Sequence, residues 1–199
     1  MKRRLAMGIL TAALCAGAPA LAVPPDGVGS IDPSGDHDPA ADRVQLPPDP
    51  EGKAVELRLA GKCDEAIPIL RRLSEDDDIA EYNLGLCLVD VGTAGKNPAL
   101  AQEGAQWVLR AANHGLPNAQ LGLVTIYLDG SGVAKDPIEA AKWALLYREN
   151  GTRVAIGLPN LTPALEARLD SVLTEQTWTE AQTRAYAWTP TSQRANAEN

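Results

Sequence analysis

The chain has 199 residues and no phenylalanine, with four tryptophans, four tyrosines, three cysteines, two methionines and two histidines. So few aromatic and sulfur-bearing side chains leave Leu, Ala, Val and Ile, with a few Trp and Tyr, to build the interior. Zinc-hydrolase helices of the H-E-x-x-H type are absent, as are S-x-x-K nucleophile motifs and G-x-x-x-x-G-K-[ST] phosphate loops. Gly130-Ser131-Gly132 is not the G-x-S-x-G elbow, and no strand is predicted before it. Positive charge is scarce too: the formal net charge is −8. That excludes nucleic acid and anionic membrane surfaces as partners, since both attract basic patches. No apolar run reaches the roughly 20 residues of a membrane span.

What is present divides the chain into four parts. Lys2, Arg3 and Arg4 precede an apolar stretch, Leu5 to Leu14, and Ala20-Leu21-Ala22 supplies small residues before Val23. This is the pattern of a signal peptide over residues 1–22, with cleavage between Ala22 and Val23. Cys15 follows Leu14 rather than a small residue, which argues against lipidation there. Cleavage would remove three positive charges, taking −8 to −11, together with both methionines. The expected location is therefore the periplasm or the exterior. Residues 23–50 carry seven prolines and six aspartates, a composition that predicts a disordered linker. Asp36-His37-Asp38 within it has no second ligand cluster to complete a metal site. Residues 51–190 read as one helical domain, and 191–199 as a disordered tail.

Within 51–190 the apolar residues recur at helical spacing. Val55 and Leu59 share a face of a first short helix ended by Gly61, and Ala66, Ile67, Leu70 and Leu73 share a face of the second. Pro68 is expected near the start of that second helix, where a missing N–H costs least. Glu75-Asp76-Asp77-Asp78 makes a turn and supplies acidic residues to the next N-terminus. It lacks the spaced oxygen ligands, glycine and closing glutamate of a calcium loop. Further helices are expected at 79–90, 98–114, 117–129, 136–149, 163–174 and 177–188. Pro98, Pro117, Pro137 and Pro163 mark helix starts, and Gly115, Gly130 and Gly151 helix ends. The total is about eight helices. Trp178, Ala181, Ala185 and Trp188 form a stripe that caps the open end.

The helices repeat. Trp107, Ala111, Ala112, Gly115, Ala119, Gln120, Leu123, Tyr127, Gly130, Gly132, Val133, Asp136, Ala140, Ala141 and Trp143 place two tryptophans 36 residues apart. A degraded copy, Ala80, Asn83, Leu84, Gly85, Asn97 and Pro98, aligns with Ala119 through Pro137 at an offset of 39. Such periods mark stacked helical hairpins, each too thin to bury its apolar face alone. The fold class is therefore an all-α hairpin-repeat solenoid. The repeat-locked spacing assigns Trp107, Tyr127 and Trp143 to packing rather than to sugar-binding platforms, with Ala111, Gly115, Ala119, Leu123, Gly130 and Gly132 as the small and apolar partners.

Cys63 and Cys87 are symmetric about residue 75 in the acidic turn, about 18 Å along each helix, so an antiparallel hairpin brings them level. In an oxidising compartment a disulfide follows, closing a loop of about 25 residues and contributing roughly 3 kcal/mol; the alternative is two buried thiols. His114, before Gly115, is expected to satisfy a helix end. Asn150-Gly151-Thr152 and Asn160-Leu161-Thr162 are sequons relevant only in a eukaryotic secretory setting.

From Ala105 to Gly151 the sequence resembles the Sel-one-like repeat family, a relative of the tetratricopeptide arrays. Trp107, Ala111-Ala112, Gly115, Ala119-Gln120, Leu123, Tyr127, Gly130, Gly132-Val133 and Asp136 match the family pattern. Val124 departs from it where a glycine is usual, which predicts a wider helix separation there. Asp64-Glu65-Ala66-Ile67 looks more like a tetratricopeptide helix start, and the run from Leu161 to Trp188 resembles the ending of exported bacterial members. The resemblance implies an adaptor or regulatory role in a bacterial envelope and brings no shared catalytic residues. The expected partner is another envelope protein and the expected state a monomer, with no catalytic, cofactor or metal residues. The alternative is a β-lactamase-like or cell-wall-active hydrolase. Cysteine-rich relatives of that type carry a cysteine pair in most repeats, whereas this chain has one.

Overall fold

The computed structural model describes residues 49–75 and 77–191. The expected signal segment with its Ala22–Val23 cleavage point lies outside the described residues, as do Asp36-His37-Asp38, most of the linker and residues 192–199 of the tail.

Among the described residues the secondary structure is helical throughout: α1 (Pro50–Leu59), α2 (Cys63–Leu73), α3 (Asp78–Ala94), α4 (Pro98–Asn113), α5 (Pro117–Asp129), α6 (Pro137–Glu149), α7 (Gly151–Ala155), α8 (Pro163–Val172) and α9 (Glu175–Tyr186). Neighbours in sequence from α1 to α6 pack on one another, and α9 returns to pack on α6. None of these helices is long and apolar enough to cross a membrane.

The punctuation is chemical. Pro50, Pro98, Pro117, Pro137 and Pro163 each occupy the first position of a helix, where proline has no hydrogen bond to lose. Asp49, Asp77, Asn97, Asp136, Asn150, Thr162 and Thr174 accept the first free backbone N–H groups. Gly61, Gly115 and Gly130 follow helix ends with positive φ.

Several expectations need correction. In α1 the buried residues are Ala54 and Leu57, while Leu59 is 72% exposed, so the face is turned from the one expected. Pro68 is the sixth residue of α2 because that helix begins at Cys63 rather than nearer Ala66. Gly151 begins a helix instead of only ending one: α6 stops at Glu149, and Asn150 caps the five-residue α7 by accepting from Arg153 N at 3.0 Å. Helix α9 ends at Tyr186, so Trp188 lies beyond it rather than on its stripe. The tail was expected from residue 191, yet the Thr191 hydroxyl donates to the Asn113 carbonyl.

Two apolar clusters form the core. The first surrounds a disulfide between Cys63 and Cys87, whose Cα atoms are 5.1 Å apart, and includes Ala54, Leu57, Ala66, Leu70, Leu84 and Leu88. The second is built on Val108, Leu123, Val124, Trp143, Tyr147, Leu169 and Ala181. Between α3 and α4 the backbones nearly touch. A Cβ on Gly85 would lie 2.7 Å from Gly104 O, and one on Gly104 would lie 2.6 Å from Gly85 O. In the next layer α5 carries Val124 at the place of Gly85, facing a core in which Ala140 and Ala144 are also buried. Gly132, at φ +77°, runs so close to the Ala101 carbonyl that no side chain fits. The small residues of the repeat thus set how near successive helices come.

Candidate functional site

Two of the polar features that break the apolar interior arise where the end of one helix meets the start of the helix before it. The first joins α3 and α4. Glu81, in the first turn of α3, is 1% exposed. Its Oε1 forms an ion pair with Arg110 Nε at 2.6 Å. Its Oε2 is buried, has no hydrogen-bond partner, and faces His114 Nδ1 at 3.5 Å. The same Nδ1 is 2.5 Å from Asp78 Oδ1. Burial raises the Glu81 carboxyl above its usual range, while Arg110 and then His114 pull it back down. His114 is the C-cap of α4, but its ring faces side-chain acids at the start of α3 rather than the carbonyls of its own helix end.

The second feature is the repeat-related position one layer on. Gln120 stands 39 residues after Glu81, and Asn150 stands 36 after His114. Gln120 is as buried as Glu81. Asn150 Nδ2 donates to Gln120 Oε1 and to Gly115 O, both at 2.9 Å. One layer therefore fills this place with a neutral amide pair and the other with charges.

Beside these pairs opens a cleft of about 570 Å³ lined by His114, Gln120, Asn150, Glu149, Tyr186 and Trp188 among others. Tyr186 is 82% exposed. Trp188 is fixed by an Nε1–H bond to Asn113 Oδ1 at 3.1 Å and by edge-on contact with Trp143, ring centroids 5.9 Å apart. Arg184, reaching Glu139 at 2.8 Å, pins α9 against α6 and so holds this wall in place. A smaller cleft of about 230 Å³ lies between α6, α8 and α9, lined by Leu145, Arg148, Leu169 and Trp178.

The residues assigned from sequence to repeat packing fall as follows. Ala111, Ala119, Leu123 and Trp143 are buried; Trp107, Gly115, Tyr127, Gly130 and Gly132 are half-buried. Trp107 lies at the surface beneath the Arg110 guanidinium, 5.4 Å from its ring centre, beside an Arg71–Glu103 ion pair of 2.7 Å. The sequence pointed to Asp78 only as a helix-start acid and to Asn150 only as part of a sequon, and gave Glu81, Arg110 and Tyr186 no role. A glutamate at the repeat position otherwise held by glutamine was the available signal for Glu81.

No protein-family model matches the chain, and no curated protein matches it. Among solved structures, the chain is similar to a protective antigen present in uropathogenic Escherichia coli strains, described as displaying an SLR fold, at 22% identity and a TM-score of 0.40. The similarity covers 67% of this chain and 32% of that one, so the chain spans about a third of the antigen's length.

Proposed function

We propose that this chain is an exported, non-catalytic helical-repeat module that binds a segment of another envelope protein. The observation that carries the reading is the cleft at the C-terminal end. Its wall combines the exposed Tyr186 ring and Trp188 with amide groups of Gln120 and Asn150. Aromatic anchors beside a few oriented polar groups are the chemistry of protein recognition, because rigid rings supply contact area at little entropic cost. The Cys63–Cys87 disulfide fits an oxidising compartment, as does the signal-like N-terminus. The resemblance to Sel-one-like repeats adds an adaptor role in the envelope.

The test is a photo-crosslinking residue placed at Tyr186 in the native cell, followed by titration of the captured protein against the purified chain. Saturable binding that weakens at least tenfold in Tyr186→Ala, with the fold intact, is the expected result. Undiminished binding by that variant would move the interface elsewhere. Hydrolysis of nitrocefin or peptidoglycan, abolished by one substitution in this chain, would overturn the non-catalytic reading.

A further inference from the structure

We propose that Asp78, Glu81 and His114 form a binding site for one divalent transition-metal ion of the zinc class, clamping the start of α3 to the end of α4. This departs from the sequence-based expectation of no metal site, and it is independent of the partner reading.

The donor atoms are His114 Nδ1, Asp78 Oδ1 and Glu81 Oε2. They lie within 4.8 Å of one another, with Nδ1 at 2.5 Å from Oδ1 and 3.5 Å from Oε2. Ligands at ordinary zinc–nitrogen and zinc–oxygen lengths in a tetrahedral arrangement stand about 3.3 Å apart. The two separations bracket that value, and Asp78 is exposed enough to adjust by rotating its side chain. One imidazole nitrogen and two carboxylate oxygens suit zinc, cobalt or nickel better than calcium or magnesium, which prefer oxygen alone.

The decisive feature is Glu81 Oε2. A buried carboxylate oxygen with no hydrogen-bond partner is costly, and this one points at the other two donors. Arg110 holds the opposite oxygen, in the manner of the outer partners that orient ligating carboxylates. The repeat supplies an internal control. At the equivalent place one layer on, Gln120 and Asn150 satisfy each other as neutral amides, so the fold does not require charge here. Charge balance is reasonable as well. An ion there would replace the direct contact between His114 Nδ1 and Asp78 Oδ1. The first turn of α3 and the last turn of α4 present opposite dipole ends, which offset. With only three protein donors, and with Asp78 and His114 reached by solvent, at least one coordination position stays open.

The test uses the untagged full chain, stripped with a chelator, disulfide intact, and titrated with Zn²⁺ by calorimetry and with Co²⁺ by visible absorption. We expect one ion per chain, a cobalt ligand-field band, and a higher melting temperature with zinc. His114→Ala and Asp78→Asn should each weaken binding by at least about tenfold while circular dichroism stays unchanged. Asp78 is half exposed, so its variant retains the fold even if Glu81→Gln does not. Absence of saturable binding would overturn the proposal. So would binding that survives in both variants, which would place the ion at Asp36-His37-Asp38 or elsewhere.

Discussion

The indole of Trp188 donates to the side-chain carbonyl of Asn113, tying the end of the described chain to the end of α4 across 75 residues of sequence. The bond also aims the ring at Trp143, which it meets edge-on. The C-terminal segment is thus a closing element of the second core cluster. Trp188→Ala should lower the unfolding free energy by about 2 kcal/mol, from one hydrogen bond and one aromatic contact. Trp143→Ala, which empties a buried site, should cost about 3–5 kcal/mol. Denaturant titration distinguishes them, and equal losses would mean that Trp188 is as deeply structural as Trp143.

Breaking the Cys63–Cys87 bridge should destabilise the chain by about 3 kcal/mol through the freed loop, leaving helix content nearly unchanged. Cys87→Ala measured against the oxidised wild type by urea melting is the check. Non-reducing peptide mapping should recover one linked peptide, and two alkylatable thiols in the oxidised protein would contradict the pairing.

Gly104→Ala should be among the most damaging small substitutions. Its new methyl would sit 2.6 Å from both the Gly85 carbonyl and the Val89 amide, an overpacking that costs about 1–3 kcal/mol or more. Gly151→Ala meets nothing within 4 Å and should be neutral or stabilise by about 0.4–1 kcal/mol. Thermal melts of the two variants should move in opposite directions.

Glu81 gives a pH signature of defined sign. Its folded-state pKa lies above the ordinary 4.5, chiefly through burial, so the folded form takes up the proton more readily than the unfolded chain. The stability linked to this group is fully present below about pH 4.5 and is lost as pH climbs through the folded value. Glu103 behaves oppositely: a hydrogen bond from Arg71 lowers its pKa, and its contribution vanishes as pH falls. Glu81→Gln in metal-free buffer should therefore gain on the wild type as pH rises from 4 towards neutrality. A relative loss over that range would mean that Arg110 outweighs burial.

With a formal charge of −8, association with the partner should be steered by opposite charge and should slow as salt rises. Stopped-flow mixing at 50 and 300 mM salt measures this. A salt-independent association rate would point to an uncharged contact.

The helix boundaries from α4 to α6 were legible because local chemistry decides them. Pro98, Pro117 and Pro137 begin helices and Gly130 ends one, whatever the surroundings. The disulfide was legible from symmetry about a turn. The face of α1 was not: Val55 and Leu59 share one side of the helix, but contact with α2 and α3 buries Ala54 and Leu57 instead. Helix α7 was hidden because Asn150-Gly151 reads as a terminus until Asn150 is seen capping forward and bonding back to Gln120. The Asp78–His114 contact joins residues 36 apart through hairpin stacking, a distance over which no local pattern speaks.

The two ends of the array are secured by different means, and the difference sets how it would yield under mechanical load. A pull applied at residues 50 and 190 meets only packing at α1, α8 and α9, which lie outside the disulfide loop, so those helices should peel away before the closed hairpin. The segment from Cys63 to Cys87 cannot extend while its sulfurs are joined. An oxidised chain drawn through a narrow pore would thus be about 80 Å shorter than a reduced one, and it would stall as a bulky loop where the reduced chain passes in single file.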